Sequence, residues 1–372
     1  MSNLKFKNGS FKIMQIADVQ ERAKPNDDTI KLITLALERE NPDLVVFTGD
    51  QVMGYSITYK KDTAERVKNC ILSFLEPVVK MGIPFAVTFG NHDDDCCFSK
   101  EEQMAFYSKF LGFIYSEPRC VSDPGTFCIQ IDASENDAPV MNIYLIDTNK
   151  KSADGAYSGI NSEQIQWYKN KREALKVGDE KYLPSMVFQH IPMPEYYDII
   201  KRVPPFFPGS VEAYKNRKNT FYCLYEDSKR CGGFMGESPA VPQVNNGEFE
   251  SLREKGDVFA VFVGHDHNNS FYRNYKGIDL GYTQGTGFNT YGPGSKRGVR
   301  IFTFNENDIR NYKTYTVTMR ELCKYRASKP LQEFGMRNSP SCIDEALTTA
   351  KRIAVIAGTV YAFKTIKKAL RK

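Results

Sequence analysis

The stretch Val261–His267, VFVGHDH, constrains this chain more than any other. The apolar run Val258 to Val263 has the β-branched and aromatic content of a short buried strand. Gly264 lets the backbone turn where the run ends, and His265 and His267 follow one residue apart. In extended backbone those two imidazoles point the same way. Imidazole is the commonest metal-binding side chain near neutral pH. The sequence holds only 4 histidines, His92, His190, His265 and His267, and each closes or follows an apolar, strand-like run.

The same punctuation recurs along the chain. FKIMQIAD, DLVVFTGD, PFAVTFGNHD and PSMVFQH all read as buried strands ending in polar residues. Between them the periodicity predicts helices over Asp28 to Glu40, capped by Asn26 or Asp27, over Asp62 to Lys80, and from a Ser99 cap to about Leu111. A further helix, capped by Ser162, is expected to run to about Lys176. Five strand ends thus carry Asp18-x-Gln20, Gly49-Asp50, Gly90-Asn91-His92-Asp93, His190 and Gly264-His265-x-His267. In open α/β sheets ligands gather beyond the carboxyl ends of strands. Carboxylate, carboxamide and imidazole together suit two divalent cations sharing one bridging carboxylate.

These five motifs, in this order, resemble the calcineurin-like metallophosphoesterase superfamily, whose pattern is D-x-H, G-D, G-N-H-[D/E], a lone His and G-H-x-H. The resemblance spans Phe11 to about Thr318. HIPMPE and LREKGDVFAVFVGHDH look like the branch of fungal and plant phosphatases related to purple acid phosphatases. It implies an α/β sandwich of two mixed sheets flanked by helices, with residues 1–318 as catalytic domain and 319–372 as a basic appendix. It also implies hydrolysis of a phosphate ester, a phosphomonoester in the favoured reading, by a metal-bridging hydroxide attacking phosphorus in line. By the same resemblance Asp50 bridges the metals, Asp18 and His267 hold the first, and Asn91, His190 and His265 hold the second. His92 faces the phosphate and assists the leaving group. Asp93 is a candidate partner for an imidazole.

Two positions depart from the pattern. Gln20 stands where the first motif usually has His. Its neutral carbonyl oxygen either coordinates the first ion or leaves that site short of a ligand. It favours Mn²⁺, Fe²⁺ or Mg²⁺ over Zn²⁺. Met53 stands where true purple acid phosphatases carry a tyrosine ligand, so an iron-tyrosinate centre is not implied. Two rival functions follow: a phosphodiesterase acting on nucleotides, lipid head groups or nucleic acid, and a metal-binding module weakened by Gln20.

Two segments near the expected site have open readings. GTGFNTYGPGSKRG, residues 285–298, either brings N–H groups and Lys296 or Arg297 to a phosphate or is a plain Gly-rich turn. The irregular excursion 195–247, with Tyr196, Tyr197, Phe206, Phe207 and Tyr214, either rims the substrate site or packs on itself. Asp94 and Asp95 read as solvated loop residues.

Charge separates the tail from the body. The net +5 resolves into +8 for residues 319–372 and −3 for the rest, counting Lys and Arg against Asp and Glu. The body therefore carries no strong nucleic-acid signal, and a phosphorylated small molecule is the expected substrate. The run Ile353 to Phe363 is uncharged, but as a helix it reaches only about 16 Å against a hydrocarbon core of ~30 Å. The segment 351–372 is thus either a docked or frayed helix or a basic surface contact for an anionic membrane. The N-terminus lacks the apolar core of a secretory signal, and the 9 irregularly spaced cysteines read as reduced thiols. The expected location is the cytoplasm, with membrane contact only through the tail.

Overall fold

The computed structural model describes residues 4–115, 123–148, 157–178, 181–205, 207–214, 217–225 and 231–338. The tail 351–372 and Phe206 lie outside the described residues.

Among the described residues, fifteen strands form three sheets. The first begins with β1 (Ser10–Ile16), β2 (Leu44–Thr48) and β3 (Phe85–Thr88). The second begins with β4 (Phe127–Asp132), β5 (Pro139–Ile146) and β6 (Ser185–Gln189). The excursion supplies β7 (Lys201–Val203), β8 (Val211–Glu212), β9 (Phe221–Cys223) and β10 (Cys231–Met235). The chain closes with β11 (Val258–Val263), β12 (Asn269–Tyr275), β13 (Ile278–Tyr282), β14 (Gly298–Asn305) and β15 (Lys313–Thr318). One sheet runs β15-β14-β1-β2-β3, the other β10-β12-β13-β11-β6-β5-β4. Both are mixed: β1, β2 and β3 are parallel with β14 antiparallel, and β5, β6, β11 and β13 are parallel with antiparallel strands at the flanks.

Strand alternation explains the layers. Ala260 and Phe262 of β11, with Met186 and Phe188 of β6, join the core shared with the first sheet. Val261, Val263 and Val187 face the other way, into a second core. That second core is closed by Tyr168 of α4 (Ser162–Ala174) and Phe249 and Leu252 of α5 (Glu248–Arg253). The helices α1 (Asp27–Glu40) and α2 (Thr63–Lys80) cover the outside of the first sheet. Parallel strands covered on both faces read as unbroken apolar runs, the pattern that made these strands conspicuous in sequence.

Caps fall close to expectation. Asn26 accepts from Asp28 N at the start of α1. Ser99 and Glu102 form a capping box on α3 (Lys100–Tyr107), which stops short of Leu111. Helix α4 is capped by Asn161 rather than Ser162, because the Asn161 carboxamide and Gln164 satisfy each other's backbone N–H groups.

The excursion 195–247 is more ordered than its composition implied. β7, β8 and β9 make a small sheet, and β10 extends the larger one beside β12. Tyr196 is buried and its hydroxyl donates to the carbonyls of Val261 and Gly281. The start of the basic appendix also packs on the body. Met319 of α6 (Met319–Leu322) is buried with Leu32 and Phe288, and ahead of α7 (Pro330–Asn338) Ser328 hydrogen-bonds Asp28. No described helix is long and apolar enough to cross a membrane.

Candidate metal centre

The parallel strands β1, β2, β3, β6 and β11 bring their carboxyl ends to one place. Just beyond them the backbone turns sharply. Asp18, Gln20, Asp50 and His265 all adopt left-handed conformations, with φ of 51°, 37°, 51° and 72°. Non-glycine residues rarely sit there, and strain of this kind gathers at functional sites. The turns are held by their neighbours. Asp18 N and Gln20 N donate to the carbonyls of Gly49 and Asp50, and Gly287 N donates back to Asp18 O. At Gly90 a Cβ would lie 2.3 Å from Asp50 Oδ1 and 2.6 Å from Asp50 N, so only glycine lets β3 approach the β2 turn this closely.

The turn at His265 replaces the extended backbone expected there. Its left-handed backbone breaks the extended geometry that would have aligned the two imidazoles. Both imidazoles nevertheless reach one cluster, in which His190 Nε2 lies 4.0 Å from Asp18 Oδ1. His265 Nδ1 lies 3.3 Å from His190 Nε2, whereas His267 Nε2 lies 3.3 Å from Asp18 Oδ1. Asp50 Oδ2 is 3.2 Å from His190 Nε2. Asp50, His190 and His265 offer ligand atoms all within 4.8 Å of one another. Asn91 sits between Gly90 and His92, and His92 N donates to Asp50 Oδ1 at 2.8 Å. Gln20 Nε2 donates to Asp50 Oδ2 at 3.3 Å.

Electrostatics favour a cation here. Burial disfavours a charged His190, but the Asp50 carboxylate offsets it and the imidazole is pushed up to about 10. Burial, then the His190 charge, holds His265 well below the usual range. Burial acts against the Asp50 charge too, yet His190 and His92 hold its carboxyl well below the carboxylate range. A proton on His190 therefore balances Asp50, and a cation binding there must release it.

The donor set fits two divalent cations. Both side-chain amide atoms of Asn91, Gln20 Oε1 and His265 Nε2 are buried without a hydrogen-bond partner. A buried polar atom left unpaired costs about 1–3 kcal/mol, so this cluster is built to hold something. Asp18, Gln20, Asp50, Asn91, His190, His265 and His267 are all buried, while His92 is part-exposed with 22% of its side chain accessible. His92 Nδ1 is 2.5 Å from Asp95 Oδ2. Asp95 is thus the imidazole's partner, not a purely solvated loop residue. Asp93 has a different role from the one expected: its carboxylate accepts from the backbone N–H of Gly90, Asp50, Gln51 and Val52. It fastens the β2 and β3 turns together because four converging donors have no other partner.

His190 Nδ1 contacts Thr48 O and His267 Nδ1 contacts Tyr291 O, at 3.0 and 2.9 Å. Such contacts fix which ring nitrogen faces a metal. Tyr291 also stacks on His267 at 4.2 Å between centroids. Tyr157 meets His265 edge-on at 4.4 Å, and Tyr55 meets His92 at 4.6 Å. Sequence reasoning missed all three tyrosines, although Tyr291 lies in the Gly-rich segment it singled out. That segment does not deliver Arg297 to a phosphate. Arg297 is fully buried and donates to the carbonyls of Gly287, Thr290 and Tyr291, and Lys296 Nζ lies 4.8 Å over the Phe234 ring. Its role is to shape the loop that holds His267.

Gln20 is poised but not committed. Its Oε1 has no protein partner and its amide leans on Asp50. Gln20→His is expected to tighten the first site and shift its preference toward zinc. Identical metal titrations for mutant and wild type would remove that role.

Comparison with known proteins identifies the family. The family described as Calcineurin-like phosphoesterase matches residues 11–269. An Arabidopsis thaliana protein named probable inactive purple acid phosphatase 14 is 27% identical over 335 residues, covering 79% of this chain and 75% of its own. Phosphatase DCR2 of Saccharomyces cerevisiae is 28% identical over 356 residues, covering 86% of this chain and 56% of its own. The crystal structure of a dimetal phosphatase from Danio rerio shares the fold, with a TM-score of 0.51 at 14% identity over 83% of this chain and 99% of that one. With its buried carboxylates, carboxamides and imidazoles gathered at the strand ends, the chain belongs to the calcineurin-like phosphoesterase family.

Proposed function

We propose that the protein is a metal-dependent phosphomonoesterase. The observation that carries this reading is the set of buried, unpartnered donors on Asn91, Gln20 and His265, beside a cluster in which the Asp18 and Asp50 carboxylates both approach His190 Nε2. Two divalent cations, when bound, supply an activated water and neutralise phosphate oxygens. Asp50 would bridge them, with Asp18, His267 and Gln20 toward one and Asn91, His190 and His265 toward the other. Mn²⁺ or Fe²⁺ suits a set this rich in oxygen donors better than zinc.

His92 is the group left for the substrate. Its Nδ1 is engaged by Asp95, which leaves Nε2 to hold a proton for the departing oxygen. Positioned proton transfer of this kind contributes roughly 10²–10⁴-fold. His92→Ala is therefore expected to lower kcat by about 10²-fold or more while metal content stays near wild type. Loss of metal in that variant would mean His92 is a ligand instead.

A second reading has its own support. Gln20 replaces an imidazole, and the Arabidopsis relative carries the word inactive in its name. On that reading the chain binds metal and phosphate without efficient turnover. The test is hydrolysis, by the purified Mn²⁺-loaded protein, of an aryl phosphomonoester and the matching diester side by side. Turnover confined to the monoester supports the proposal. Preference for the diester replaces it with a phosphodiesterase, and turnover of neither favours the binding module.

A further inference from the structure

One cation at the mouth of this centre has no work assigned to it. Arg22 follows Gln20 and Glu21 on the segment that runs beside the β2 turn, where Glu21 bridges to Val52 and Met53 N donates to Glu21 O. Glu21 turns inward: its carboxylate accepts from Asn26 N, Thr29 Oγ1 and Asn289 Nδ2. Glu21 pairs with Val52 and Ala23 N donates to Thr58 Oγ1, so Arg22 runs between them beside the segment that carries Tyr55. Tyr55 is half exposed and its ring meets His92 at 4.6 Å. Partial burial and then the Asp50 charge push the Tyr55 hydroxyl up to about 12, and the Arg22 guanidinium acts on it in the opposite sense. Arg22 is only part-exposed, and its Nε is buried without a hydrogen-bond partner. No described carboxylate pairs with it. Arg172 and Arg297 also have an unpaired Nε, but their terminal nitrogens, like the guanidinium of Arg300, are bonded to carbonyls, hydroxyls or a carboxylate.

We propose that Arg22 is a substrate-binding residue, its guanidinium receiving a non-bridging oxygen of a terminal, doubly charged phosphate at the mouth beside Tyr55 and His92. Arginine's planar fork matches phosphate oxygens, and charge-assisted bonds of this kind are the strong ones. A phosphomonoester dianion offers three non-bridging oxygens and two charges, a diester two oxygens and one charge. An extra fork of donors therefore selects the monoester. The inference rests on the phosphomonoesterase reading for its substrate class, but its binding step is measurable without turnover.

The experiment compares wild type, Arg22→Gln and Arg22→Lys as full chains loaded with Mn²⁺. Inorganic phosphate binding is measured by calorimetry, and kcat and KM for the aryl monoester and diester are measured alongside. Arg22→Gln is expected to weaken phosphate binding and raise the monoester KM by about tenfold or more, with the diester KM changed far less and manganese content and melting temperature retained. Arg22→Lys is expected to recover part of the loss, since it keeps the charge but not the fork. Phosphate binding lost in Arg22→Gln in a protein that hydrolyses neither ester supports Arg22 while overturning the phosphomonoesterase reading. Unchanged phosphate affinity in both variants, absence of phosphate binding by the wild type, or an equal loss on monoester and diester would overturn the assignment.

Discussion

Asp50→Asn is expected to abolish turnover and to strip the protein of at least one of its two cations. Asp50 is nearly fully buried, and its carboxylate faces His190 Nε2 at 3.2 Å, Gln20 Nε2 at 3.3 Å and His92 N at 2.8 Å. Asparagine keeps the shape and one acceptor but removes the charge that holds the cluster of imidazoles together. It also turns an N–H₂ toward groups that already donate. Transition-state charge stabilisation by a metal pair is worth several kcal/mol. At 1.36 kcal/mol per decade that is a loss of roughly 10³-fold in kcat. Metal analysis and steady-state kinetics on the same preparation read both effects. A variant that kept two equivalents of metal and most of its activity would show that the bridge lies elsewhere.

The second large effect is on the fold of the site. Asp93 is fully buried and accepts four backbone N–H groups, from Gly90, Asp50, Gln51 and Val52, at 2.7, 2.8, 2.7 and 3.1 Å. Burial and the neighbouring Asp50 charge push its carboxyl up, and the N–H donors pull it the other way. Asp93→Ala orphans all four donors in two tightly packed turns. The expected cost is about 3–5 kcal/mol in unfolding free energy, together with weaker metal binding because Asp50 and Asn91 ride on those turns. Chemical denaturation with a metal titration checks both. A variant as stable as wild type would mean that the turns hold themselves.

How much of this was legible beforehand depends on the residue. The strands that end in Asp18, Asp50, Asn91, His190 and His265 were readable because they are covered on both faces and form apolar runs closed by polar residues. That the ends converge followed from parallel topology. Direction was harder. His265 and His267 were expected to point together from extended backbone; they do meet one cluster, but through a left-handed turn at His265 that sets His265 against His190 and His267 against Asp18. Asp93 was misassigned to an imidazole because sequence adjacency to His92 hid its four backbone partners, while Asp95, dismissed as solvated, holds that imidazole. The three tyrosines and Arg22 gave no periodic or motif signal. Their roles come from contacts between segments distant in sequence, such as Tyr291 on His267. The strands β7 to β9 are two or three residues long and β10 carries two glycines, so no alternation betrays them.

The central claim is that these strand ends form a two-cation hydrolytic centre. The most direct test is a titration of chelator-stripped protein with Mn²⁺, following bound metal and hydrolysis of an aryl phosphomonoester in the same samples. The account predicts two equivalents bound and activity that rises with the second and disappears on chelation. Binding of a single equivalent, or hydrolysis indifferent to metal removal, would contradict it.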